Sequence, residues 1–344
     1  MSDEDAGKLN ITAPRVLAKL SRPRLHRTVA RERLFALIDS RKQHPIIWMA
    51  GPAGAGKTSL VSSYCSTRKL FTVWLQLDHA ESDAASFFHY LRLASEAHSV
   101  TLRNASLPNL TPDYGLDSET YARNFARVMF SGLPGDSVLV LDNYQTLNPA
   151  SAVHRLVVCM LEEIPASINV IVASRTPAPP DFTRLAASQA LAVLSWDDLA
   201  FDLNETKSLL ELWGKFEDTE VRRLHEQSSG WAAGLVLAAA HGRRNGLALS
   251  EGTEDSEAVF DYFLKEVFET LPHTTQDVLL RASYLPYVSS AQGVELTGNS
   301  EAEDVLEAAY QAQLFVDRST GPHQAYRFHA LFKRFLRDQA RKVW

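Results

Sequence analysis

The segment "GPAGAGKTSL", residues 51–60, constrains the fold of this chain more than any other. Gly51, Gly56, Lys57 and Thr58 fit the pattern G-x-x-x-x-G-K-[ST], directly after the apolar run "IIWMA" and before the helical run "TSLVSSYCST". In that setting the glycines let backbone N–H groups converge on a phosphate, and the helix N-terminus adds its dipole. The sequence therefore predicts a P-loop. The alternative is a glycine-rich turn that binds nothing.

Each part of this loop has an expected role toward a nucleotide. Lys57 would neutralise the β- and γ-phosphate oxygens, and Thr58 would be a ligand of Mg²⁺. The backbone around the β-phosphate would come from four small residues: Gly51, Gly54, Ala55 and Gly56.

Apolar runs alternate with helical stretches from residue 46 onward. Five runs are interpreted as strands: 46–50, 71–77, 138–142, 169–174 and, with a weaker pattern, 190–194. Nearly continuous apolar strands are typical of a parallel sheet that is covered on both faces. The alternation predicts an α/β fold, a P-loop NTPase with a doubly wound parallel sheet, which ends near residue 195.

The pattern changes after residue 195. Helical periodicity predicts a small helical arm domain, and the polar stretch "NGLALSEGTEDSE" after it indicates a linker. Short helices, a hairpin with its turn at Gly321-Pro322 and a basic last helix then outline a winged-helix domain. We expect four segments: a disordered tail at 1–12, the nucleotide-binding domain at 13–195, the arm at 196–246 and the winged helix at 257–344.

Three residues at the ends of predicted strands, or directly after them, are candidates for the catalytic site. Asp142 follows four apolar residues and would complete the Mg²⁺ shell; the alternative is a cap of the next turn. The strand 71–77 lies between the loop and Asp142 in the sequence, as in NTPases that insert a strand between the two motifs. Arg175 follows the fourth strand at the crevice side of the sheet, where it either senses the γ-phosphate or is a solvated loop arginine. Asn143 stands where such enzymes usually carry a second acid as a base, so slow hydrolysis is expected.

Composition argues against several classes of function. The 344 residues carry a net charge of −6 and no basic block of the kind that tracks nucleic acid or anionic lipid. Cys65 and Cys159 lie in apolar helical patterns, which indicates buried thiols in a reducing compartment. The acidic start "MSDEDAGKLN" does not have the pattern of a signal peptide, and the apolar runs are too short to span a bilayer. We expect a cytoplasmic protein without membrane contact.

Several motifs in one order, from about residue 13 to 342, resemble a known family. They are "KLSRPRLHRTVARERL", "GPAGAGKTSL", "VWLQLDHAESDAASFFHYL", "LVLDNYQ", "ASRTPAPP", "DLAFDLNET", "SSGWAAGLVLAA" and "YRFHALFKRFL". Together they resemble the signal-transduction ATPases with numerous domains, specifically the MalT-like branch of large LuxR-type transcriptional activators. The resemblance implies a switch, in which the three domains fold around ADP in a closed, resting monomer. An inducer bound elsewhere opens it, ATP replaces ADP, and the open form self-associates.

The resemblance also implies site residues in the nucleotide-binding domain. Val29 and Arg31 match the segment that grips the adenine, and Ser59 joins the phosphate site. Asp142 matches the Mg²⁺ aspartate and Arg175 the sensor arginine. The expected partners are therefore an adenine nucleotide, ATP or ADP, and Mg²⁺.

The resemblance extends to the two following domains, with departures. Gly230 and Trp231 match the arm's nucleotide-proximal turn, and His329 matches a winged-helix histidine expected to reach the β-phosphate of ADP. The family usually has paired acids where this chain has Asn143 after its aspartate, which argues against brisk hydrolysis. Members also continue into an inducer-binding superhelix and often a DNA-binding domain. We therefore expect the inducer-sensing and effector domains to be absent from this chain, which stops at Trp344 as an excised core or a minimal relative.

Two other functions compete with the switch. An AAA+-like winged-helix ATPase that acts on DNA would need a basic recognition helix, whereas residues 301–313 carry four acidic residues and no Lys or Arg. Direct DNA binding by this chain is therefore not expected, although the basic last helix is a feature that would favour it. A metabolic P-loop kinase would need a base and an acceptor-binding lid, and the sequence shows neither; no pattern supports the acidic-polar stretch 99–118 as a lid.

Overall fold

The computed structural model describes residues 17–104, 107–108, 117–244, 261, 263, 265, 267–312, 314–319 and 325–344. Its main sheet is built from β1 (Ile46–Ala50), β2 (Thr72–Gln76), β3 (Val138–Asp142), β4 (Asn169–Ser174) and β5 (Leu191–Leu194). All neighbouring strands are parallel, in the order β2-β3-β4-β1-β5. The predicted α/β fold with its five strands is confirmed.

Both faces of this sheet are covered. Ile46 and Trp48 belong to one cluster of buried apolar side chains, and Ile47 and Met49 belong to another. Because successive side chains of a strand point to opposite faces, the two clusters are the cores on the two sides of the sheet. The helices of this part are α1 (Glu32–Arg41), α2 (Lys57–Thr67), α3 (Ala84–His98), α4 (Val100–Asn104), α5 (Ser118–Ser131), α6 (Val153–Leu161), α7 (Thr183–Ala187) and α8 (Trp196–Leu199). Short 3-10 helices lie at Ala18–Leu20, His79–Ser82, Tyr144–Thr146 and Pro180–Phe182.

The strand order decides which strand ends lie beside the P-loop. In the sheet it is β4, and not β2, that lies between β1 and β3, while β2 forms an edge. The strand inserted between the P-loop strand and the Asp142 strand is therefore β4, although in the sequence it is β2 that separates the P-loop from Asp142. As a result Arg175, directly after β4, lies between the loop after β1 and Asp142 at the end of β3.

Three helices follow the sheet and form the arm: α9 (Leu203–Glu211), α10 (Asp218–Ser228) and α11 (Ala232–Arg244). Helix α9 begins with a capping box, in which the Asp202 side chain accepts from the Glu205 N–H and the Glu205 carboxylate accepts from the Asp202 N–H. The apolar faces of the three helices share one core, which includes Leu209, Leu224 and Leu235.

The C-terminal part combines helices with a small antiparallel sheet. Its elements are a 3-10 helix at Phe268–Thr270, α12 (His273–Ala282), β6 (Val288–Ser289), α13 (Ser290–Thr297), α14 (Ala302–Gln311), β7 (Val316–Ser319), β8 (Ala325–Phe328) and α15 (Ala330–Val343). The strands lie in the order β6-β8-β7. Helices followed by the β7–β8 hairpin form the predicted winged helix.

Several expectations fall on residues outside the described part of the chain. These are the tail at 1–12, the whole linker at 245–257, and the hairpin turn at Gly321-Pro322. Cys65 and Cys159 are buried free thiols, as their apolar patterns predict. In the described part of the chain, no helix combines the length and apolar character that a membrane span requires.

Candidate functional site

The P-loop between β1 and α2 has a backbone that only its glycines adopt without strain. Gly54 and Gly56 have φ angles of +70° and +83°. Helix α2 begins at Lys57, so the N–H groups of its first turn have no partner within the helix. The Lys57 ammonium donates to the carbonyl oxygens of Gly51 and Pro52, at 2.6 and 3.0 Å. The loop thus combines a helix N-terminus with a cation, the combination that binds phosphate in proteins.

Asp142 and Thr58 meet directly beside this loop. The Thr58 hydroxyl lies 3.0 Å from each carboxylate oxygen of Asp142, and the Asn143 N–H donates to one of them at 3.0 Å. Burial raises the pKa of Asp142, while the two hydrogen bonds and the charge of Lys57 act in the opposite direction. The pairing brings together two residues that are 84 positions apart, and their shared role toward Mg²⁺ stays a prediction.

These oxygens fit a magnesium ion held through a nucleotide. Mg²⁺ prefers hard oxygen ligands and is usually bound by one or two protein groups together with substrate phosphates and water. A hydroxyl and a carboxylate from Thr58 and Asp142 supply that set. Among the described residues there is no group of three or more His, Cys, Asp or Glu that could hold a metal without a nucleotide.

Two cations lie on the same side of the sheet. Burial and the nearby charge of Arg175 lower the pKa of Lys57 to about 7, against the opposing effect of Asp142. The backbone N–H of Arg175 donates to the Gln145 side chain at 3.0 Å, which fixes the end of β4 against the turn after β3. A bound phosphate would favour the charged form of Lys57.

A cavity of about 190 Å³ lies between the P-loop, the segment 26–31 and the arm. The four predicted residues on its wall are Val29, Arg31, Gly56 and Ser59. The arm adds apolar and aromatic side chains that sequence reasoning missed: Phe201, Leu209, Trp213, Ala232 and Val236. Their contribution depends on the packing of the arm, for which the sequence offers no spacing signal.

Arg31 also holds the arm. Its buried guanidinium donates to the carbonyl oxygens of Leu199 and Ala200 at 2.8 and 2.9 Å, and to Glu205 at 2.6 Å. The same group lies 3.9 Å from the ring centroid of Phe201. Arg31 therefore joins the cavity wall to helix α9.

The turn before α11 touches the P-loop from outside. Gly230 has φ +74°, and a Cβ there would lie 2.4 Å from the carbonyl oxygen of Phe201, so no larger residue fits. Trp231 is fully buried, and its indole N–H donates to the carbonyl oxygen of Ala53 at 2.8 Å. The next donor, the Ala233 N–H, reaches the Gly54 carbonyl oxygen at 3.0 Å. The predicted nucleotide-proximal turn is in contact with the loop.

His329 belongs to the winged helix, where it contacts the arm and shares a cavity with the P-loop. It directly precedes α15, and its Nε2 lies 3.1 Å from the Ser228 carbonyl oxygen, to which it can only donate. A second cavity, of about 410 Å³, has His329 on one wall and Pro52 of the P-loop on another. This geometry brings the histidine near the loop, and its contact with a β-phosphate stays a prediction.

Comparisons with known proteins agree with this architecture. A family model described as MalT winged helix domain matches residues 264–343. The HTH-type transcriptional regulator MalT of Serratia proteamaculans is 28% identical over 334 residues, which cover 94% of this chain and 36% of that protein. MalT of Klebsiella pneumoniae is 28% identical over 331 residues, with the same coverage of 94% and 36%. Among solved structures, the Walker-type ATPase PABY2304 of Pyrococcus abyssi aligns with a TM-score of 0.59 and 14% identity over 90% of this chain and 95% of that chain, a likeness in fold alone.

Fold and site together define a P-loop NTPase of the α/β class with a winged-helix domain. More particularly, the chain is similar to MalT over 94% of its length, and its C-terminal part matches the MalT winged helix domain. It spans 36% of the length of the curated relatives that it matches.

Proposed function

We propose that this chain is an ATP/ADP-dependent regulatory switch of a MalT-like transcriptional regulator. It rests as a closed monomer that holds ADP. When an inducer acts on it, ATP replaces ADP and the opened form self-associates. The nucleotide is then a signal for the state of the protein, and its hydrolysis resets the switch slowly.

The observation that carries this proposal is that the arm binds the P-loop through a residue on which the winged helix packs. Trp231 donates to the loop at Ala53, while its ring stacks on Phe263 at 4.9 Å between centroids. Phe263 belongs to the buried core of the winged helix. An enzyme that only consumes ATP has no need of such contacts, whereas in a switch they couple the loop to the arrangement of the domains.

Within this switch the nucleotide site would work as follows. Lys57 and the N-terminus of α2 would hold the β- and γ-phosphates. Thr58 and Asp142 would hold Mg²⁺, whose positive charge would neutralise the phosphates. The cavity lined by Val29 and Arg31 takes the adenine. We propose the boundaries 13–195, 196–246 and 257–344 for the three domains.

Slow hydrolysis follows from the residue after Asp142. Asn143 has φ +60° and its backbone N–H is bound to Asp142, but its side-chain amide cannot accept a proton. A water that attacks the γ-phosphate would lack a base there. Gln145, held against the Arg175 backbone, is the neighbouring group that could orient such a water.

Direct DNA binding by this segment is not part of the proposal. The first turn of α14 has exposed Glu303 and Asp304, which would repel phosphates. On the basic helix α15, Lys333 donates to the Leu285 carbonyl oxygen at 2.5 Å and Arg337 donates to that of Ser283 at 3.0 Å, so both serve the winged helix itself. A salt-dependent band shift with duplex DNA would contradict this view.

The test is the nucleotide content and the size of the purified chain. We expect ADP to co-purify, a monomer in light scattering with ADP, and a minor but measurable fraction of a larger species with a non-hydrolysable ATP analogue, since complete opening also requires the inducer. Lys57→Ala should weaken the binding of both nucleotides about a hundredfold, since it removes a charge-assisted phosphate contact worth a few kcal/mol. Unchanged affinity in this variant would refute the nucleotide site, and equal mass in both nucleotide states would refute the switch.

A further inference from the structure

Trp231 is placed to orient one peptide of the P-loop. Its indole N–H holds the Ala53 carbonyl oxygen at 2.8 Å in a buried contact. A trans peptide is planar, and its C=O and N–H point in opposite directions. Holding the Ala53 oxygen against the indole therefore directs the N–H of Gly54 away from the arm.

The next peptide of the loop is fixed at both ends. The Gly54 carbonyl oxygen accepts from the Ala233 N–H at 3.0 Å, and the Ala55 N–H donates to the Pro52 carbonyl oxygen at 3.2 Å. Two successive donors at the start of α11 thus bind two successive oxygens of the loop. The carbonyl oxygens that face away from the phosphate site therefore have their hydrogen-bond partners on the arm. A ligand binds more tightly to a site whose donors are already oriented, because less conformational entropy is lost on binding.

The faces of the Trp231 ring contact a different part of the molecule from the one that its N–H binds. The indole stacks on Phe263 with an interplanar angle of 9°, and meets Phe315 edge-on at 5.1 Å between centroids. Both phenylalanines belong to the core of the winged helix. One side chain therefore connects the winged-helix core to a backbone oxygen of the P-loop.

We propose that Trp231 is a positioning residue of the phosphate site. It orients the Ala53–Gly54 peptide so that the Gly54 N–H faces the phosphates, and its ring makes this orientation depend on the docked winged helix. This inference rests on the proposed nucleotide binding and adds a residue that touches no ligand. Separation of the winged helix would release the indole, and the loop would lose an oriented donor.

The test compares ADP with adenosine in calorimetric titrations of the full chain. Trp231→Phe removes the N–H and keeps an aromatic ring, so ADP should bind about tenfold more weakly, the effect of one hydrogen bond. Adenosine should bind as it does to the wild type, because the cavity that would hold the adenine keeps its walls. Equal weakening of adenosine and ADP would overturn the inference, since it would indicate that α11 has moved as a whole.

A matched control and a second variant complete the test. Trp74→Phe makes the same change at a fully buried tryptophan whose Nε1 has no hydrogen-bond partner among the described residues, and both affinities should remain unchanged. Phe263→Leu keeps the indole N–H but removes the stacked ring, and should weaken ADP about threefold. Wild-type ADP affinity in Trp231→Phe would overturn the positioning role and leave the proposed function intact. Failure of the wild type to bind ADP would instead refute the proposed function, and this inference with it.

Discussion

Glu205 supports the nucleotide cavity through Arg31, which directly precedes α1, and Arg33, which lies in the first turn of α1. One carboxylate oxygen accepts from Arg31 at 2.6 Å, from Arg33 at 3.0 Å and from the Asp202 N–H at 3.1 Å. The side chains of Arg31 and Glu205 are only 5% and 10% exposed. The substitution Glu205→Gln keeps the volume and an acceptor at the third position of the helix, where a capping box accepts either residue. It therefore isolates the loss of the negative charge.

The expected cost is about 3 kcal/mol, because removal of one partner leaves the other as an uncompensated buried charge. Hydrogen exchange of the arm amides reports this directly as local opening, which should become about a hundredfold faster in residues 203–228. The control is Asp218→Asn in the same arm. Asp218 pairs with Lys207 at 2.8 Å, with side chains 75% and 47% exposed, and an exposed pair of this kind should change exchange by less than about fivefold. Exchange rates in Glu205→Gln that match those of the control would refute the reasoning.

Further expectations concern pH, hydrolysis, backbone strain and the winged-helix histidine. Burial raises the pKa of Glu205, but hydrogen bonds from two arginines outweigh it and hold that pKa below the usual range of a glutamate. The stabilising effect of its charge is therefore present at neutral pH and is lost as the pH falls through the lowered pKa. Acid should accordingly speed hydrogen exchange in the arm of the wild type more than in that of Glu205→Gln. Asn143→Asp should raise ATP turnover at least about tenfold by supplying a base, and an unchanged rate would contradict that reason for slow hydrolysis. Gly230→Ala should destabilise the protein far more than Gly298→Ala, because both have positive φ but only the first would place its Cβ against backbone, and equal melting temperatures would contradict this. His329→Ala should weaken ADP about ten- to a hundredfold in calorimetry and speed its release, whereas unchanged release rates and scattering profiles would show that the histidine is only structural.

The parts of the fold that the sequence predicts are those that depend on local pattern. The five strands begin and end within one residue of the predicted ranges, because each is a short, largely buried and mostly apolar run. The meeting of Thr58 with Asp142 was predictable for the same reason. Both follow apolar strands, and the carboxyl ends of parallel strands lie along one edge of the sheet.

The order of strands and the contacts of the arm could not be obtained in this way. Apolar periodicity is the same for an edge strand and an inserted strand, so nothing in the runs 71–77 and 169–174 indicates that the second lies beside β1. The buried partners of Arg31 are 168 to 174 residues away, and its charge gives no indication of them. The resemblance suggests only that Arg31 grips the adenine. The structure shows in addition that the same guanidinium binds the arm.

The contacts around the P-loop also set an upper limit on how far a nucleotide can shift the equilibrium between the closed and open forms. A nucleotide favours the closed form only by the difference between its affinities for the closed and open forms. If the peptide held by Trp231 contributes about tenfold and a contact from His329 about another tenfold, that difference is about a hundredfold. A change from 1:99 to 99:1 requires about ten-thousandfold, so nucleotide exchange alone does not invert such an equilibrium. The remaining preference for the closed form must come from contacts that need no ligand, of which the Arg31–Glu205 pair and the stack of Trp231 on Phe263 are the clearest. The nucleotide-free chain should therefore remain largely closed, and opening should require a further input such as the inducer. An extended scattering profile for the nucleotide-free protein would show that the nucleotide contributes more than the contacts of Trp231 and His329 allow.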